Sequence, residues 1–490
     1  MKFKYKTILV LGVTLLAACT KDFQEINTNP NSPETTNTEF LMSEVVLSTA
    51  YAYQENAVGR RPASAARYLT LVRNTGYDLF DWGPVDWDDI YARLSVNKTF
   101  METAQKRSEN QYVAISKIIK AFNFGYLTDL YGDVPYSQAL KSKESNLIYP
   151  EYDQQQAIYP DLLKELREAN DLLKGGAPDI NVKADVMFKG KVLQWRKFAN
   201  SLRLRMLLRI SKNYGPAFTE MQEIINDKTN FPIFESSADN AEIPYLGNLA
   251  GYSWPGGPLA MIDFDYQKTK VSKELVDRLL QRNDPRLAGW VEPVKSTVGS
   301  TVDLNRYVGV PNAIDAPAAY NGGEDHVSVF SSSFFRKNGA SSNPLLKASL
   351  VTYTELCFIL AEAMQKGKLT VPGESAESLY YKGIRESMSS YSLTAAATYF
   401  DQAIVKYDGT QEQLMTQKWM AMLFKGAEGW FDQRRTGYPA FVTGPLAAGR
   451  GIPKRYVFPD SESAKNKANY QKAVSAFGAD KETTLMWSLK

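Results

Sequence analysis

Five aspartates lie within twelve residues of an irregular stretch: Asp78, Asp81, Asp86, Asp88 and Asp89. Two carboxylates are enough for glycoside hydrolysis, which needs no fixed sequence motif. Trp82 and Trp87 lie among the acids, where their rings could stack on a sugar. The residues of this stretch are therefore compatible with a hydrolase at the cell surface. Acids at this density are nevertheless more often a solvated loop or helix caps, and they lack the spacing of an EF-hand calcium site.

Other catalytic constellations are missing from the sequence. His326 is the single histidine, which excludes a zinc site built on several imidazoles. No Gly-x-Ser-x-Gly elbow, nucleotide phosphate loop or dinucleotide fingerprint occurs. We therefore predict no catalytic residue, no metal site and no cofactor, and favour a binding function.

Aromatic side chains are concentrated in two irregular stretches, 74–89 and about 231–343. Such rings hold sugars or peptides by stacking and by hydrogen bonds at their polar edges. Trp82 and Trp254 are the favoured candidates, because their Gly and Pro neighbours do not form a regular element that would bury them. Alternatively, the rings pin long loops to the body. The candidate ligand-binding residues are Tyr77, Asp78, Trp82, Trp87, Tyr252, Trp254 and Tyr320.

Amphipathic helices must form the body that positions these loops. Apolar residues recur at steps of three and four, which is the period of a helix with one buried face. Short turns between such segments favour stacked helical hairpins, although no strict 34-residue repeat is visible. Three of the stripes are Tyr112, Ile115, Ile119, Phe122 and Tyr126; Leu350, Tyr353, Cys357, Leu360 and Met364; and Met415, Trp419, Met422, Gly426 and Trp430.

The N-terminus has the pattern of a bacterial lipoprotein signal. Lysines precede an apolar run from Ile8 to Ala18, which is too short to span a bilayer and ends directly before Cys19. We predict a signal peptide over 1–18, lipidation of Cys19, a polar tether over 19–38 and a folded body over 39–490. Acyl chains bind a bilayer at about 0.8 kcal/mol per buried methylene, so lipidation alone would anchor the chain.

Charge and cysteine content exclude further classes. The chain has 57 lysines and arginines against 54 aspartates and glutamates, and three of the lysines precede Cys19, so the remainder is balanced. A nucleic-acid-binding surface is therefore not expected. Arg203, Arg205 and Arg209 cluster at spacings typical of a solvated or salt-bridged helix flank. Cys357 lies in an apolar segment, where we expect a buried thiol rather than a nucleophile.

Several segments, in order along the chain, resemble the SusD/RagB family of outer-membrane nutrient-binding lipoproteins. Leu127–Tyr136 is similar to the hallmark of that family. Trp195–Arg205 resembles its middle helix, and Gly426–Pro439 resembles its C-terminal signature. Asp22–Pro30 is similar to the start of the SusD-like branch. We interpret the Gly132-Asp133-Val134-Pro135 turn within the hallmark as structural, because it closes a helix sharply.

The resemblance implies a mostly α fold, with tetratricopeptide-like helical hairpins packed with a loop-rich ligand-binding region. It also implies noncovalent binding of a glycan or peptide. The implied partner is a SusC-like TonB-dependent outer-membrane barrel, over which the lipoprotein would sit as a lid. Lys21, Asp22 and Glu25 after Cys19 are a partial export signal, which favours display on the cell surface. A surface hydrolase and a non-catalytic scaffold for protein partners remain the alternatives.

Overall fold

The computed structural model describes residues 37–335 and 345–490. The predicted signal peptide, Cys19 and the tether up to residue 36 therefore lie outside the described residues. Of the helices within the two described ranges, none has both the length and the apolar character needed to cross a membrane.

The described body is mostly helical and begins with α1 (Thr38–Glu55). The Asn37 side chain accepts a hydrogen bond from the Glu39 amide at 3.0 Å, which satisfies one of the amides left unpaired at a helix start. The helices that follow are α2 (Arg61–Ala65), α3 (Asp88–Lys106), α4 (Asn110–Tyr131), α5 (Ser142–Ser145), α6 (Gln155–Leu172), α7 (Val192–Ile210), α8 (Ala217–Asn226), α9 (Asp263–Lys268), α10 (Lys273–Gln281), α11 (Arg286–Trp290), α12 (Tyr353–Gln365), α13 (Ala376–Ser389), α14 (Gln411–Ala421), α15 (Glu428–Thr436), α16 (Asp460–Lys465) and α17 (Lys467–Phe477).

Consecutive helices pack against each other as hairpins. α3 packs on α4, α6 on α7, α12 on α13, and α14 on α15. α4 also packs on α6, and α7 on α12, so that the hairpins form one layer after another. The predicted mostly α fold with helical hairpins is confirmed.

The predicted apolar stripes are buried except for Tyr353 and Met364, which are half-buried, and two of the stripes do not follow single helices. All five stripe residues of α4 are buried. Leu350 belongs to a strand, and α12 begins only after Thr352, whose hydroxyl accepts from the Glu355 amide at 3.3 Å. The stripe from Met415 to Trp430 is divided between α14 and α15. Phe424 and Gly426 lie between them with φ of 59° and 56°, a left-handed conformation that interrupts a helix.

Short antiparallel strand pairs tie the irregular segments to the body. The strands are β1 (Leu69–Leu71), β2 (Val134–Pro135), β3 (Tyr152–Asp153), β4 (Ala241–Pro244), β5 (Thr269–Val271), β6 (Val291–Glu292), β7 (Val329–Phe330) and β8 (Lys347–Val351). β1 pairs with β5, β2 with β3, β4 with β8, and β6 with β7. The β1–β5 pair sets Leu69 opposite Val271 and Leu71 opposite Thr269, and so joins the first irregular stretch to the long insert.

The insert is less irregular than its composition indicates, because α9, α10 and α11 lie within it. The Ser272 hydroxyl caps α10 by accepting from the Leu275 amide at 3.1 Å. Leu275, Val276 and Leu279 are its buried residues. The helical period was missed because α10 is short and its apolar face has only these few members.

The hallmark segment forms the end of α4 and the turn after it. α4 ends at Tyr131, and Gly132 follows with φ of 88°. A Cβ on Gly132 would lie 2.5 Å from the Phe477 ring, so a larger residue does not fit. The Asp133 carboxylate accepts from the Gln155 amide at 2.8 Å. The turn is structural, as interpreted from the sequence.

The family signatures meet in a buried charge network that links α4, α7 and α15. Arg209 forms ion pairs with Asp129 and Glu428, and Tyr159 donates to Asp129 at 2.5 Å. Arg205 pairs with Glu355. Arg205 and Arg209 were expected on a solvated or salt-bridged flank; they are salt-bridged, but both are buried.

The same network continues through the start of the C-terminal signature. Asp432 pairs with Lys418 at 2.7 Å and with Arg435 at 2.8 Å. Arg435 also donates to both carboxylate oxygens of Glu362, at 2.6 and 2.7 Å. Burial raises the pKa of Glu362, but Arg435 outweighs it and, with Lys366 and Lys418, lowers this pKa to about 2. The buried charges are thus paired, which is the condition under which a fold can hold them.

Candidate ligand-binding site

A pocket of about 200 Å³ lies where the two irregular stretches meet the end of α1. We name it the tyrosine pocket. α1 and the turn after it contribute Tyr51, Glu55 and Arg60. The first irregular stretch contributes Tyr77, and the insert contributes Tyr245 and further residues up to Thr269. Both irregular stretches thus contribute residues to this pocket.

Tyr51 and Tyr245 line one wall of the pocket, and Tyr252 contacts this wall without being a lining residue. Tyr51 and Tyr245 are stacked, with centroids 4.7 Å apart and planes inclined by 22°. Tyr252 meets Tyr51 edge-on at 6.3 Å. Tyr252 is 39 % exposed, whereas Tyr51 and Tyr245 are buried. The stacked pair is therefore a support, and the Tyr252 ring is accessible to a ligand.

Tyr77 enters the pocket from the first irregular stretch and is half-buried. The Arg61 guanidinium lies 4.7 Å from the centroid of the Tyr77 ring, a cation–π contact that fixes the ring. The Trp82 indole donates to the Tyr77 carbonyl at 3.0 Å. Tyr77 is therefore held from both its side chain and its backbone.

The phenol groups of Tyr51 and Tyr245 are protonated near neutral pH. Burial raises the pKa of Tyr51 to about 12 and raises the pKa of Tyr245 well above its usual value. The Tyr51 hydroxyl donates to the Pro244 carbonyl at 2.9 Å. The buried Tyr245 hydroxyl has no hydrogen-bond partner within residues 37–335 and 345–490.

The rim of the pocket combines balanced charge with exposed apolar surface. Glu55 pairs with Arg60 at 3.7 Å, and Asp265 pairs with Lys268. These four are the charged side chains that line the pocket, so its net charge is zero. Apolar side chains that are at least half exposed follow one another along the adjoining insert: Leu246, Leu249, Leu259 and Ile262. Exposed apolar surface of this kind is typical of a binding site.

The three predicted tryptophans do not present a ring to solvent, so the expectation that they are exposed is wrong. Trp82, Trp87 and Trp254 are 4, 3 and 2 % exposed. Trp82 packs edge-on against Trp430 at 5.4 Å, and Trp87 against Tyr131 at 5.0 Å. Their loops fold back on the helical body, which removes both ring faces from solvent.

Trp254 has an indirect connection to the pocket. Its indole donates to the Phe334 carbonyl at 2.6 Å, and its ring packs edge-on against Tyr245 at 5.7 Å. The Gly and Pro residues around Trp254 do not prevent burial, because the burying surface comes from residues distant in the sequence. Trp254 thus positions a pocket tyrosine.

Asp78 is also buried, which contradicts its expected place on a ligand-binding surface. Its carboxylate accepts from the Ser64 hydroxyl and from the Leu71 amide at 2.8 Å. Burial raises the pKa of Asp78, while the Ser64 hydrogen bond and the Arg67 charge oppose that rise. Asp78 therefore joins α2 to β1.

Three of the remaining acids of the first stretch lie at the start of α3, whereas the exposed Asp81 pairs with Arg450 at 3.7 Å. Asp86 accepts from the Asp88 amide at 3.0 Å, directly before α3, and Asp88 and Asp89 form the first turn of α3. Acids at a helix start are stabilised by its dipole. Among the residues described, no group of three His, Cys, Asp or Glu side chains could hold a metal ion.

Tyr320 lies away from the tyrosine pocket. It packs, half-buried, against a small apolar cluster formed by Val72, Val308, Val310 and Val327. Tyr77 is therefore the predicted ring that lines the tyrosine pocket, and Tyr252 is connected to the pocket through its edge contact with Tyr51.

Sequence reasoning missed Tyr51 and Tyr245. Tyr51 lies on a helix, where an aromatic residue indicates core packing, and Tyr245 follows the short strand β4. One available signal was the position of Tyr245 at the start of the aromatic insert.

The comparisons with known proteins define first a class and then a family. A family model described as "Starch-binding associating with outer membrane" matches residues 30–459. The class is therefore that of glycan-binding proteins associated with the outer membrane. Because the match spans most of the chain, the protein belongs to the SusD-like family. No curated protein matches the sequence.

Solved structures show the same fold. A SusD homologue from Bacteroides fragilis is 27 % identical with a TM-score of 0.79, covering 93 % of this chain and 100 % of its own. A Bacteroides vulgatus protein, proposed to lie in the outer membrane and to bind nutrients, is 26 % identical with a TM-score of 0.79 and the same coverage. A chitin-binding protein is 26 % identical with a TM-score of 0.76, again with the same coverage.

Proposed function

We propose that this protein binds an uncharged oligosaccharide noncovalently in the tyrosine pocket and performs no chemistry on it. The observation that carries the proposal is that Tyr51, Tyr77 and Tyr245 line one charge-balanced pocket. The Tyr252 ring, which contacts Tyr51, and several apolar side chains of the adjoining insert are exposed. Membership in a glycan-binding family and similarity to a chitin-binding protein support the ligand class.

The size of the pocket favours recognition of one sugar unit. Its volume of about 200 Å³ is smaller than the roughly 300–1,000 Å³ of sites that enclose a whole drug-sized ligand. One ring would enter beside Tyr77, and the following units would lie over the apolar rim. Balanced charge disfavours an acidic sugar, because no cation in the pocket lacks a nearby carboxylate.

The cellular role is part of the same proposal. The protein would be anchored by a lipid on Cys19, face the cell surface and deliver its ligand to a SusC-like TonB-dependent barrel. The family's association with the outer membrane supports this location. A few stacking contacts, each worth about 1 kcal/mol beyond buried area, suit micromolar to millimolar capture. Such a ligand is released to a transporter without an energy input at the binding protein.

Calorimetry tests the binding role. Maltoheptaose and chitohexaose are titrated into the wild type, Tyr77→Ala and a control, Tyr149→Ala, whose ring is exposed but distant from the pocket in the sequence and not among its lining residues. We expect binding of at least one glycan, weakened in Tyr77→Ala and unchanged in Tyr149→Ala. Equal affinity in all three proteins would contradict the assigned pocket. Release of shorter sugars by the pure protein would contradict the absence of catalysis.

A further inference from the structure

A pocket of about 530 Å³ lies where the C-terminal ends of α7, α12 and α15 meet residues 488–489. We name it the basic pocket, after the cations that line it. It shares no lining residue with the tyrosine pocket. Its volume falls within the roughly 300–1,000 Å³ of small-molecule sites, so it has room for one sugar ring with a substituent.

The charge of the basic pocket has one sign. Its lining includes two buried cations, Arg209 and Arg435, and three exposed ones, Lys212, Lys366 and Lys368. Among the residues that the structure describes, no acidic side chain lines this pocket. A cleft lined by one sign of charge concentrates ions of the opposite sign, so the lining favours an anionic ligand.

Acids beneath the basic pocket offset three of these five cations. Arg209 and Arg435 belong to the buried charge network, in which carboxylates pair with both of them. Lys366 donates to Glu362, a member of the same network, at 2.6 Å. Any positive surplus at the pocket must therefore come from Lys212 and Lys368.

Lys212 and Lys368 are exposed and have no carboxylate partner. Lys212 Nζ donates to the Leu489 carbonyl at 3.3 Å and forms no ion pair within the described ranges. The Lys368 side chain forms neither a hydrogen bond nor an ion pair within residues 37–335 and 345–490. Two positive charges without partners match a phosphate monoester, whose charge is about −1.5 to −2 at neutral pH.

Helix dipoles explain only part of this arrangement. A cation is stabilised beside the last turn of a helix, and Lys366 already occupies that position as the residue directly after α12. Lys368 lies two residues further on, where the effect of the dipole has fallen off. Because the carbonyl ends of these helices repel an anion, a phosphate would contact the lysine ammonium groups and not the helix ends.

The segment that carries Lys368 is held in place before any ligand arrives. The Gln222 side chain of α8 donates to the Thr370 carbonyl at 2.9 Å and accepts from the Thr370 amide at 2.9 Å. The Gln365 side chain, at the end of α12, donates to the Gly409 carbonyl at 2.6 Å. The backbone of this wall is thus preorganised, which lowers the ordering cost of binding.

Other lining side chains suit a sugar that carries the phosphate. The half-buried ring of Phe218 lines the pocket, and the C–H face of a sugar ring packs on such a surface. The half-buried Gln411 also lines it and offers an amide group to sugar hydroxyls. The lining thus combines a cationic part with an aromatic and polar part.

We propose that the basic pocket binds a phosphorylated monosaccharide, with the phosphate held by Lys212 and Lys368 and the sugar ring against Phe218. This site goes beyond the proposed function, because it is separate from the tyrosine pocket and takes a charged ligand. Its phosphate contacts are charge-assisted hydrogen bonds, which are stronger than those to an uncharged sugar.

Calorimetry with glucose 6-phosphate, inorganic phosphate and glucose tests the proposal. We expect glucose 6-phosphate to bind the wild type, and inorganic phosphate to bind more weakly because it lacks a ring to contact Phe218. Glucose should bind more weakly than glucose 6-phosphate. In Lys212→Gln/Lys368→Gln, the affinity for glucose 6-phosphate should fall at least about tenfold, because the charge-assisted hydrogen bonds are lost.

Lys183→Gln/Lys191→Gln is the matched control. It removes the same number of charges from exposed positions before α7, about 28 Å from the end of that helix that Lys212 follows. The affinity for glucose 6-phosphate should be the same in this control and in the wild type. Urea unfolding checks that each variant is folded. Should the Lys212→Gln/Lys368→Gln variant unfold, Lys368→Gln alone replaces it, because that side chain makes no contact to lose within the described residues.

Several results would overturn the proposal. These are no binding of glucose 6-phosphate, equal affinity for it in the two double variants, or an affinity for glucose or inorganic phosphate that equals it. The two sites fail separately. Tyr77→Ala should leave the affinity for glucose 6-phosphate unchanged, and Lys212→Gln/Lys368→Gln should leave maltoheptaose binding unchanged. A loss of glucose 6-phosphate binding in Tyr77→Ala would place this ligand in the tyrosine pocket and contradict the second site.

Discussion

The buried charge network and the tyrosine pocket are built from different kinds of residue. The network uses the most conspicuous segments of the sequence, including Asp129 in the hallmark and Glu428 in the C-terminal signature. The pocket is lined by single tyrosines from three separate segments, Tyr51, Tyr77 and Tyr245, and the exposed Tyr252 contacts Tyr51. The difference indicates that the recognisable motifs preserve the helical body. If the proposed function is right, ligand choice depends on residues that carry no motif.

The largest expected effect is on stability, and it comes from a substitution that breaks the buried charge network and leaves the tyrosine pocket unchanged. Arg209→Met leaves Asp129 and Glu428 buried without their partner, so the free energy of unfolding should fall by about 3–5 kcal/mol. Urea unfolding measures this loss. Arg167→Met is the control, because Arg167 and Glu223 are paired at the surface and should contribute at most about 1 kcal/mol. Equal losses in both variants would contradict the role of the network.

The second largest expected effect is a loss of stability at acid pH, because protonation weakens the buried charge network. The pKa of the Glu362 carboxyl is about 2 in the folded protein and ordinarily 4.5. This carboxyl therefore binds fewer protons in the folded state than in the unfolded state. Its stabilising contribution is complete above about pH 4.5 and is lost as the pH falls toward 2, by about 3 kcal/mol in total. Urea unfolding between about pH 5 and 2 measures the slope. Glu362→Gln should show a shallower slope; an identical slope would contradict this assignment.

A smaller effect is expected on glycan affinity, which should distinguish two tyrosines that were equal candidates in the sequence. Tyr252→Ala removes an exposed ring at the pocket and should weaken glycan affinity about five- to tenfold, which corresponds to roughly 1 kcal/mol of stacking. Tyr320→Ala should leave affinity unchanged, since Tyr320 packs on a separate valine cluster. Calorimetry compares them. An equal loss in both variants would show that the ligand surface is wider than the tyrosine pocket.

The smallest effect concerns pH and binding. The pKa of Tyr51 is about 12, so its hydroxyl keeps its proton throughout the neutral range. Glycan affinity should therefore change less than about twofold between about pH 6 and 9. A steep decrease in glycan affinity within this range would mean that an ionising group contacts the ligand. That result would contradict the assignment of the binding site to the charge-balanced tyrosine pocket.

Local patterns predicted the helical hairpins, the turn at Gly132 and the burial of Cys357, whose thiol pKa is raised by burial to about 12. These features depend on neighbours in the sequence. Which aromatic rings face solvent could not be predicted, because distant segments decide it. Trp254 is buried by contacts that include Phe424, and Trp82 by contacts that include Trp430.

Of the candidate site residues, Tyr77 lines the tyrosine pocket, whereas Asp78 and the three tryptophans are buried. That the two irregular stretches bind the ligand stays a prediction. The two irregular stretches do converge, since β1 pairs with β5 and brings Tyr77 to the insert. Proline and glycine neighbours were treated as a sign of exposure for Trp82 and Trp254. They exclude regular secondary structure, but they do not prevent a loop from packing on the body.

A crystal structure of the protein with a saturating oligosaccharide tests the central claim most directly. We predict an intact glycan with one sugar ring against Tyr77 and Tyr252, while Trp82, Trp87 and Trp254 remain buried and in place. A tyrosine pocket left empty while the sugar stacks on a tryptophan that has moved out of the core would contradict the account.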